Sequence, residues 1–333
     1  MDMEKILSDC TLCPRSCHVN RLAGQKGYCG QTAQIRAARA ALHYWEEPCI
    51  SGRAGSGAVF FSGCPMRCIF CQNYEIAVGD TGKEISWQRL AEIFIGLQQK
   101  GANNINLVTP THFVPLIVPA LEKAKQDGLT IPVVYNTSSY EKVETLRMLD
   151  GLVDIYLPDL KYFSPEISKM LSHAPDYFSV ACEAIGEMVR QVGKPVFEAS
   201  DGRLLNAEEM NAACEAEDED ADFLMKKGVI VRHLALPGQE ADSASVLKYL
   251  IETWGKDIYI SIMNQYTPMP GIKKRLERLD SAAVASDLQR RLTEEEYEVL
   301  IDYALDLGIE NGFLQDGETA RESFIPAFDG EGL

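Results

Sequence analysis

From about residue 58 onward, short apolar runs alternate with longer amphipathic stretches. Ala58–Phe61, Asn104–Val108, Pro132–Asn136, Val153–Leu157, Val229–Leu236 and Ile258–Ile262 are apolar and rich in β-branched or aromatic residues, and read as strands. Between them Ser86–Lys100 places Leu90, Ile93, Phe94 and Leu97 at helical spacing behind Ser86, an N-cap residue type. Further helices are expected at about Val114–Asp127, stopped by Gly128, and at Glu141–Leu149, Tyr177–Val192, Ser243–Thr253 and Glu294–Leu307. Strands separated by helix-length segments pair in parallel, because a parallel neighbour needs a crossover. The pattern gives an α/β fold of six βα units, either a doubly wound sheet or an incomplete barrel. In both, ligands sit at the C-terminal ends of the strands.

Two segments break this rhythm. Residues 1–50 read as an irregular cysteine-bearing segment with turn signals at Gly24, Gly27 and Gly30, which leaves 51–333 as the core domain with a C-terminal extension. Ala199–Asp222 is polar and carries Glu215, Glu217, Asp218, Glu219 and Asp220, as expected of a solvated surface insertion.

A formal net charge of −17 argues against a nucleic-acid or anionic-membrane partner. The start, MDMEKILSDC, has no apolar signal region, and no run approaches the roughly 18 apolar residues of a membrane span, so a cytoplasmic location is expected. Of ten cysteines, seven fall into two tight groups, Cys10, Cys13, Cys17 and Cys29, then Cys64, Cys68 and Cys71. Such clustering without a signal peptide favours metal thiolates over disulfides. Cys49, Cys182 and Cys214 are scattered and read as ordinary thiols.

Cys64, Cys68 and Cys71 lie in a loop directly after the first apolar run, spaced C-x3-C-x2-C. Three soft ligands on one short loop can hold three corners of a [4Fe–4S] cube and leave the fourth iron open to another ligand. Gly63 and Pro65 favour a tight, non-helical path, and Phe70 supplies an apolar wall. Structural zinc fits less well, since it wants four ligands. The N-terminal group, C-x2-C-x3-C-x11-C, does have four, enough for structural zinc or a second iron–sulfur cluster. His18 can replace one of them.

The Cys64–Cys71 spacing with Phe70 before the last cysteine resembles the cluster motif of the radical S-adenosylmethionine (SAM) superfamily. The context FFSGCPMRCIFCQN is similar to the subfamily related to pyruvate formate-lyase activating enzyme, as are CTLCPRSCHVNRLAGQKGYCG, NINLVTPTHFVP, VVYNTSSYE, DIYLPDLKYF, VIVRHLALPG and ISIMNQYTP. These segments span about residues 10–315. The resemblance implies a partial (β/α)6 barrel with a [4Fe–4S] cluster and SAM at the strand C-termini. It implies reductive cleavage of SAM to a 5′-deoxyadenosyl radical that takes hydrogen from a small-molecule, peptide or protein substrate. The electron donor would be of the flavodoxin or ferredoxin kind. Activation of a glycyl-radical enzyme is one alternative, and a non-catalytic metal scaffold or electron carrier is another.

Site residues follow by resemblance. The second strand ends in Thr109-Pro110-Thr111-His112 where the family has a Gly-Gly-Glu-like turn for the SAM amine, so Thr109 and Thr111 are the candidates there. Asn136 and Ser138 end the third strand as ribose or carboxylate contacts, with Ser138 also a candidate N-cap. Asn136 stands where the activases have an Asp that helps bind a monovalent cation. Asp159 and Lys161 match the D-x-K of the activases and lie on one side of an extended chain. Lys161 offers a cation to the SAM carboxylate or a proton near the substrate. Arg232 interrupts an apolar run, is costly there unless paired, and is expected to meet the SAM carboxylate. Tyr266, beside Gln265, offers an aromatic face and a polar tip to adenine.

Overall fold

The computed structural model describes residues 3–215, 223–314 and 326–333, with Glu215 described by its backbone alone, so the acidic residues Glu217, Asp218, Glu219 and Asp220 lie outside the described residues. The six expected runs appear as β2 (Ser56–Phe61), β4 (Ile105–Val108), β5 (Val133–Thr137), β6 (Ile155–Pro158), β9 (Leu224–Leu234) and β10 (Tyr259–Met263). Five further strands join them: β1 (Ile35–His43), β3 (Lys83–Ile85), β7 (Val196–Glu198), β8 (Leu204–Asn206) and β11 (Gly312–Leu314). The sheet order is β11-β10-β9-β6-β5-β4-β2-β1-β3, so β3 and β11 are its two ends. From β2 to β11 neighbouring strands run parallel, while β1 is antiparallel to β2 and β3. β7 pairs antiparallel with β8 and β9.

The pleat sorts the side chains into two layers. Val59, Leu107, Tyr135, Tyr156 and Val231 pack in the main core with the helices, among them Trp87–Gln99, Val114–Gln126 and Tyr177–Val192. Ser86 caps the first of these, its hydroxyl accepting from Arg89 N–H. The register Ala58–Asn106–Val134–Ile155 aligns the opposite face. That face is covered by the connection between β1 and β2, whose short helix Pro48–Ser51 places Cys49 and Ile50 in one cluster with Val134, Ile155, Leu157, Ile230 and Tyr259. Asn104 Nδ2 donates to Ile50 O at 2.7 Å and Asn103 Nδ2 to Ser51 O at 2.7 Å, which holds the connection in place.

Three expectations need correction. The division at residue 50 falls inside the sheet domain, because Ile35–His43 is β1 and the residues after it fill the inner face. The run RAARAALH, alanine pairs set off by arginines, carried too little apolar signal and no period of two to read as a strand. The helix expected at Glu141–Leu149 is a short turn, Val143–Leu146, followed by one 3-10 turn, Arg147–Leu149. The segment from Ala199 is not wholly solvated: Leu205 and Met210 are buried with Phe197 and Met225, and Asn211 accepts from Tyr259 Oη–H at 2.9 Å.

Candidate functional site

Six consecutive strands, β2, β4, β5, β6, β9 and β10, contribute Phe60, Val108, Asn136, Asp159, Arg232 and Met263 to the lining of one cavity of about 240 Å³ at their C-terminal ends. Asp159 follows β6 directly. Cys64, Cys68 and Cys71 line the same cavity. The loop carrying them starts at Gly63, where φ is +84° and a Cβ would lie 2.5 Å from Cys29 O, so only glycine fits. Gly63→Ala is therefore expected to cost about 2–4 kcal/mol, the strain of a left-handed alanine plus an overpacked contact. Thermal or urea unfolding of the two proteins checks this. Arg67, between the first two cysteines, is also left-handed, with φ +51°.

None of the three cysteines is in a disulfide. Met66 N–H points at Cys64 Sγ at 3.4 Å, and Ser172 Oγ–H donates to Cys68 Sγ at 3.0 Å. Burial, reinforced by the neighbouring sulfurs, pushes the Cys64 thiol up to about 11 and the Cys71 thiol up to about 12. The Lys161 charge acts the other way on both. Three thiolates confined together in low dielectric need a cationic group between them to ionise. An iron–sulfur cluster would supply that charge, since each thiolate would bind a separate iron. The donor set, its loop and its sulfur-directed donors fit a cluster held by three cysteines.

Beside the loop lies a buried charge network. Arg232 Nε donates to Asp159 Oδ1 at 2.9 Å, Nη1 to Glu46 Oε2 at 3.1 Å and Nη2 to Asn136 Oδ1 at 2.7 Å. Lys161 Nζ donates to Asp159 Oδ2 at 2.5 Å, and Asn136 Nδ2 to Glu46 Oε1 at 3.2 Å. Two carboxylates and two cations thus balance within one hydrogen-bonded set. Burial alone would raise the Asp159 pKa; the Arg232 and Lys161 charges override it and hold the carboxyl below its ordinary range. Burial would likewise lower Lys161 and Arg232, and Asp159 reverses both.

Thr109, Asn136, Ser138, Asp159, Lys161, Arg232, Gln265 and Tyr266 all border the cavity with the three cysteines. Thr111 does not: its hydroxyl donates to the buried Glu141 Oε1 at 2.6 Å, alongside Thr137 Oγ1 at 2.6 Å and Tyr135 Oη at 3.2 Å. The turn after β4 rotates Thr111 away while Thr109, at φ +58°, stays at the rim. Ser138 is no helix cap; the Val143–Leu146 turn starts after Lys142. The tip of Tyr266 is also committed, donating to Leu288 O at 2.5 Å, while its ring meets Phe70 edge-on at 6.3 Å. Arg232 already has two carboxylate partners within the protein, so the expected need for the SAM carboxylate is met by Glu46 and Asp159.

Glu46, His43 and Trp45 are among the lining residues that the sequence reading missed. His43 ends β1, and Trp45 and Glu46 lie on the connection to β2, which has no periodic signature. The available signal was Arg232 itself, since a cation in an apolar strand requires an acid and Glu46-Glu47 stands apart in a weakly charged stretch.

Of the N-terminal cysteines, Cys10, Cys13 and Cys29 are buried and Cys17 is half-buried, and none is in a disulfide. His18 points away, its Nδ1 2.8 Å from the exposed Asp9 carboxylate. No helix among the described residues is long and apolar enough to cross a membrane.

Among curated proteins the chain is 26% identical over 311 residues to the uncharacterized protein MJ0674 of Methanocaldococcus jannaschii, covering 90% of this chain and 75% of the other. Among solved structures it is similar to SuiB of Streptococcus suis bound to S-adenosylmethionine, at TM-score 0.45 and 12% identity, over 77% of this chain and 49% of that one. For SuiB bound to precursor peptide SuiA the TM-score is 0.42 at 12% identity, over 76% of this chain and 46% of that one. The chain thus spans about half the length of the SuiB chains it matches. Residues 58–205, which include Cys64, Cys68, Cys71, Asn136, Asp159 and Lys161, match the family model of the Radical SAM superfamily.

Proposed function

We propose that the chain is a radical SAM enzyme whose sheet forms a partial (β/α)6 barrel around the cavity, with a [4Fe–4S] cluster on Cys64, Cys68 and Cys71. The observation that carries the reading is that these three cysteines open into the same cavity as Asp159, Lys161 and Arg232. When bound, the cluster supplies the electron that cleaves the SAM sulfonium to methionine and a 5′-deoxyadenosyl radical, which abstracts hydrogen from a substrate C–H.

The protein's own residues bind, orient and exclude water. Lys161 is the cation best placed for the SAM carboxylate. Its charge acts on Cys64 and Cys71, and among the described residues only one of its donors is taken, by Asp159. Arg232 is a positioning residue, aligning Asp159, Asn136 and Glu46. Asn136, Ser138, Thr109 and Gln265 supply polar contacts to the amine, ribose and adenine. Tyr266 contributes its ring face alone, because its hydroxyl is engaged by Leu288. Phe60, Val108 and Met263 form the apolar wall, which keeps water from a reactive intermediate. A low-potential donor of the flavodoxin or ferredoxin kind supplies the electron, and a small molecule or peptide is the substrate.

The glycyl-radical activase reading is set aside, because Asn136 puts an amide bonded to Glu46 and Arg232 where an activase would put a carboxylate. EPR of the anaerobically reconstituted, reduced protein tests the proposal. Added SAM is expected to shift the cluster g-values, as binding at an open iron requires. A spectrum unchanged by saturating SAM leaves a scaffold or electron carrier.

A further inference from the structure

The three sulfurs of the Cys64–Cys71 loop are not met alike. Backbone N–H groups serve Cys64, with Met66 N at 3.4 Å from its sulfur, and Cys71, through Asn73. Cys68 Sγ instead lies 3.0 Å from a side-chain hydroxyl, Ser172 Oγ, 104 residues further along the chain. Behind it, Tyr162 Oη is 2.7 Å from Ser172 Oγ.

The fold holds this pair in place from several sides. Ser172 ends the helix Pro165–Ser172, which Ser164 caps at its start and the left-handed His173 closes. Ile69 N–H, between Cys68 and Cys71, donates to Leu171 O at 3.0 Å. Arg15 of the N-terminal segment clamps the same corner, its Nε donating to Pro65 O at 2.8 Å and its Nη2 to Ser172 O at 2.8 Å. Tyr162 follows Lys161, and its ring packs edge-on against Phe70 at 6.3 Å and Tyr177 at 5.3 Å. Both Ser172 and Tyr162 are fully buried, so bulk water does not compete for either hydroxyl.

The direction of the hydrogens follows from the acceptors. A thiolate has no proton to give, so the hydroxyl beside Cys68 points its hydrogen at the sulfur. Ser172 Oγ then offers Tyr162 a lone pair, and the phenol O–H donates to it. Burial pushes the Tyr162 phenol well above its ordinary range, and the Cys68 sulfur adds to this, so Tyr162 stays a neutral donor. Two O–H dipoles thus line up with their positive ends towards Cys68, in a low-dielectric site where each polarises the next.

We propose that Ser172, polarised by Tyr162, raises the reduction potential of the cluster through its hydrogen bond to Cys68 Sγ. The inference rests on the reading that Cys64, Cys68 and Cys71 hold that cluster. One-electron reduction adds negative charge that the thiolates share, so an O–H dipole aimed at one sulfur favours the reduced form. Tyr162 is a positioning residue, acting through Ser172.

The test is a redox titration of the anaerobically reconstituted full-length chain, read on the EPR signal that SAM shifts, before SAM is added. Ser172→Ala is expected to lower the ratio of reduced to oxidised cluster at a fixed solution potential about tenfold, which is about 59 mV in the midpoint. Tyr162→Phe keeps the ring and its packing and should lower the ratio about twofold to threefold. Iron and sulfide per folded chain should match wild type, because neither variant removes a ligand. A merely structural loss would reduce loading without moving the midpoint. A cluster-bearing Ser172→Ala protein with the wild-type midpoint overturns the proposal and leaves the barrel reading standing. Should Ser172→Ala take up no cluster, Tyr162→Phe decides: a lowered midpoint supports the relay, and an unchanged one overturns it. A wild type with no SAM-responsive signal contradicts the barrel reading, and this inference with it.

Discussion

Cys68→Ala is expected to abolish formation of 5′-deoxyadenosine from SAM, to the level of a cluster-free control. The reaction needs an electron held beside the sulfonium, and no side chain in the cavity can substitute for a cluster as its source. Iron bound by the Cys64–Cys71 loop should fall with it, because two remaining thiolates cannot hold three corners of a cube. The fold should survive. Ser172 Oγ loses Cys68 Sγ but keeps Tyr162 Oη at 2.7 Å, so no buried hydroxyl is left without a partner. Unfolding of the metal-free variant should therefore stay within about 1 kcal/mol of the metal-free wild type. Cys64→Ala and Cys71→Ala should behave alike. Product analysis by HPLC, with iron content and circular dichroism on the same samples, checks all three.

Arg232→Met should have the second largest effect, and it should appear in stability as well as in activity. Methionine fills similar volume but leaves Glu46 and Asp159 buried without their shared cation. Breaking a buried pair in this way costs about 3–5 kcal/mol at pH 7. The sign of the pH dependence follows from Asp159, whose carboxyl is held below its ordinary pKa in the folded protein. Its contribution is present above its unfolded value, near pH 4, and is lost as pH falls through the folded value. The variant lacks most of that contribution. The gap between wild type and variant is thus widest at neutral pH and narrows on acidification below about pH 4. Urea unfolding at a series of pH values reads this directly. SAM cleavage should drop by about 100-fold, as Asp159, Asn136 and through them Lys161 lose their alignment. A gap that is flat with pH would show that Arg232 acts by packing and not by charge.

The members of the charge network differed in how legible they were. Asp159 and Lys161 could be read by resemblance and by alternation along an extended chain, and Arg232 by resemblance and as a cation inside an apolar run. The structure places all three on one cavity. Glu46 could not be read in this way. It lies on an irregular connection that returns into the inner face of the sheet, and no local pattern encodes that return. The partner of Arg232 was consequently sought in the ligand when it lay in the chain. Thr111 failed for a related reason: one tight turn decides whether a side chain faces the cavity or the core, and Glu141 draws it inward. The parallel strands β2, β4, β5, β6, β9 and β10 were legible from apolar runs alone. β1, made largely of alanine, was not, because its strand state is set by pairing with β2.

The same contrast applies to the cysteines. Spacing set both groups apart in the sequence, but only the fold shows that Cys29 O lies against Gly63, so that the N-terminal segment packs on the Cys64–Cys71 loop. That contact is why Gly63→Ala is expected to disturb both groups.

The central claim is that Cys64, Cys68 and Cys71 hold a cluster that cleaves SAM reductively. It is tested most directly by incubating anaerobically reconstituted wild-type protein with SAM and dithionite and measuring 5′-deoxyadenosine and methionine. Equal amounts of the two products, dependent on both the reductant and the three cysteines, are predicted. No 5′-deoxyadenosine from protein whose cluster is shown to be intact would contradict the account.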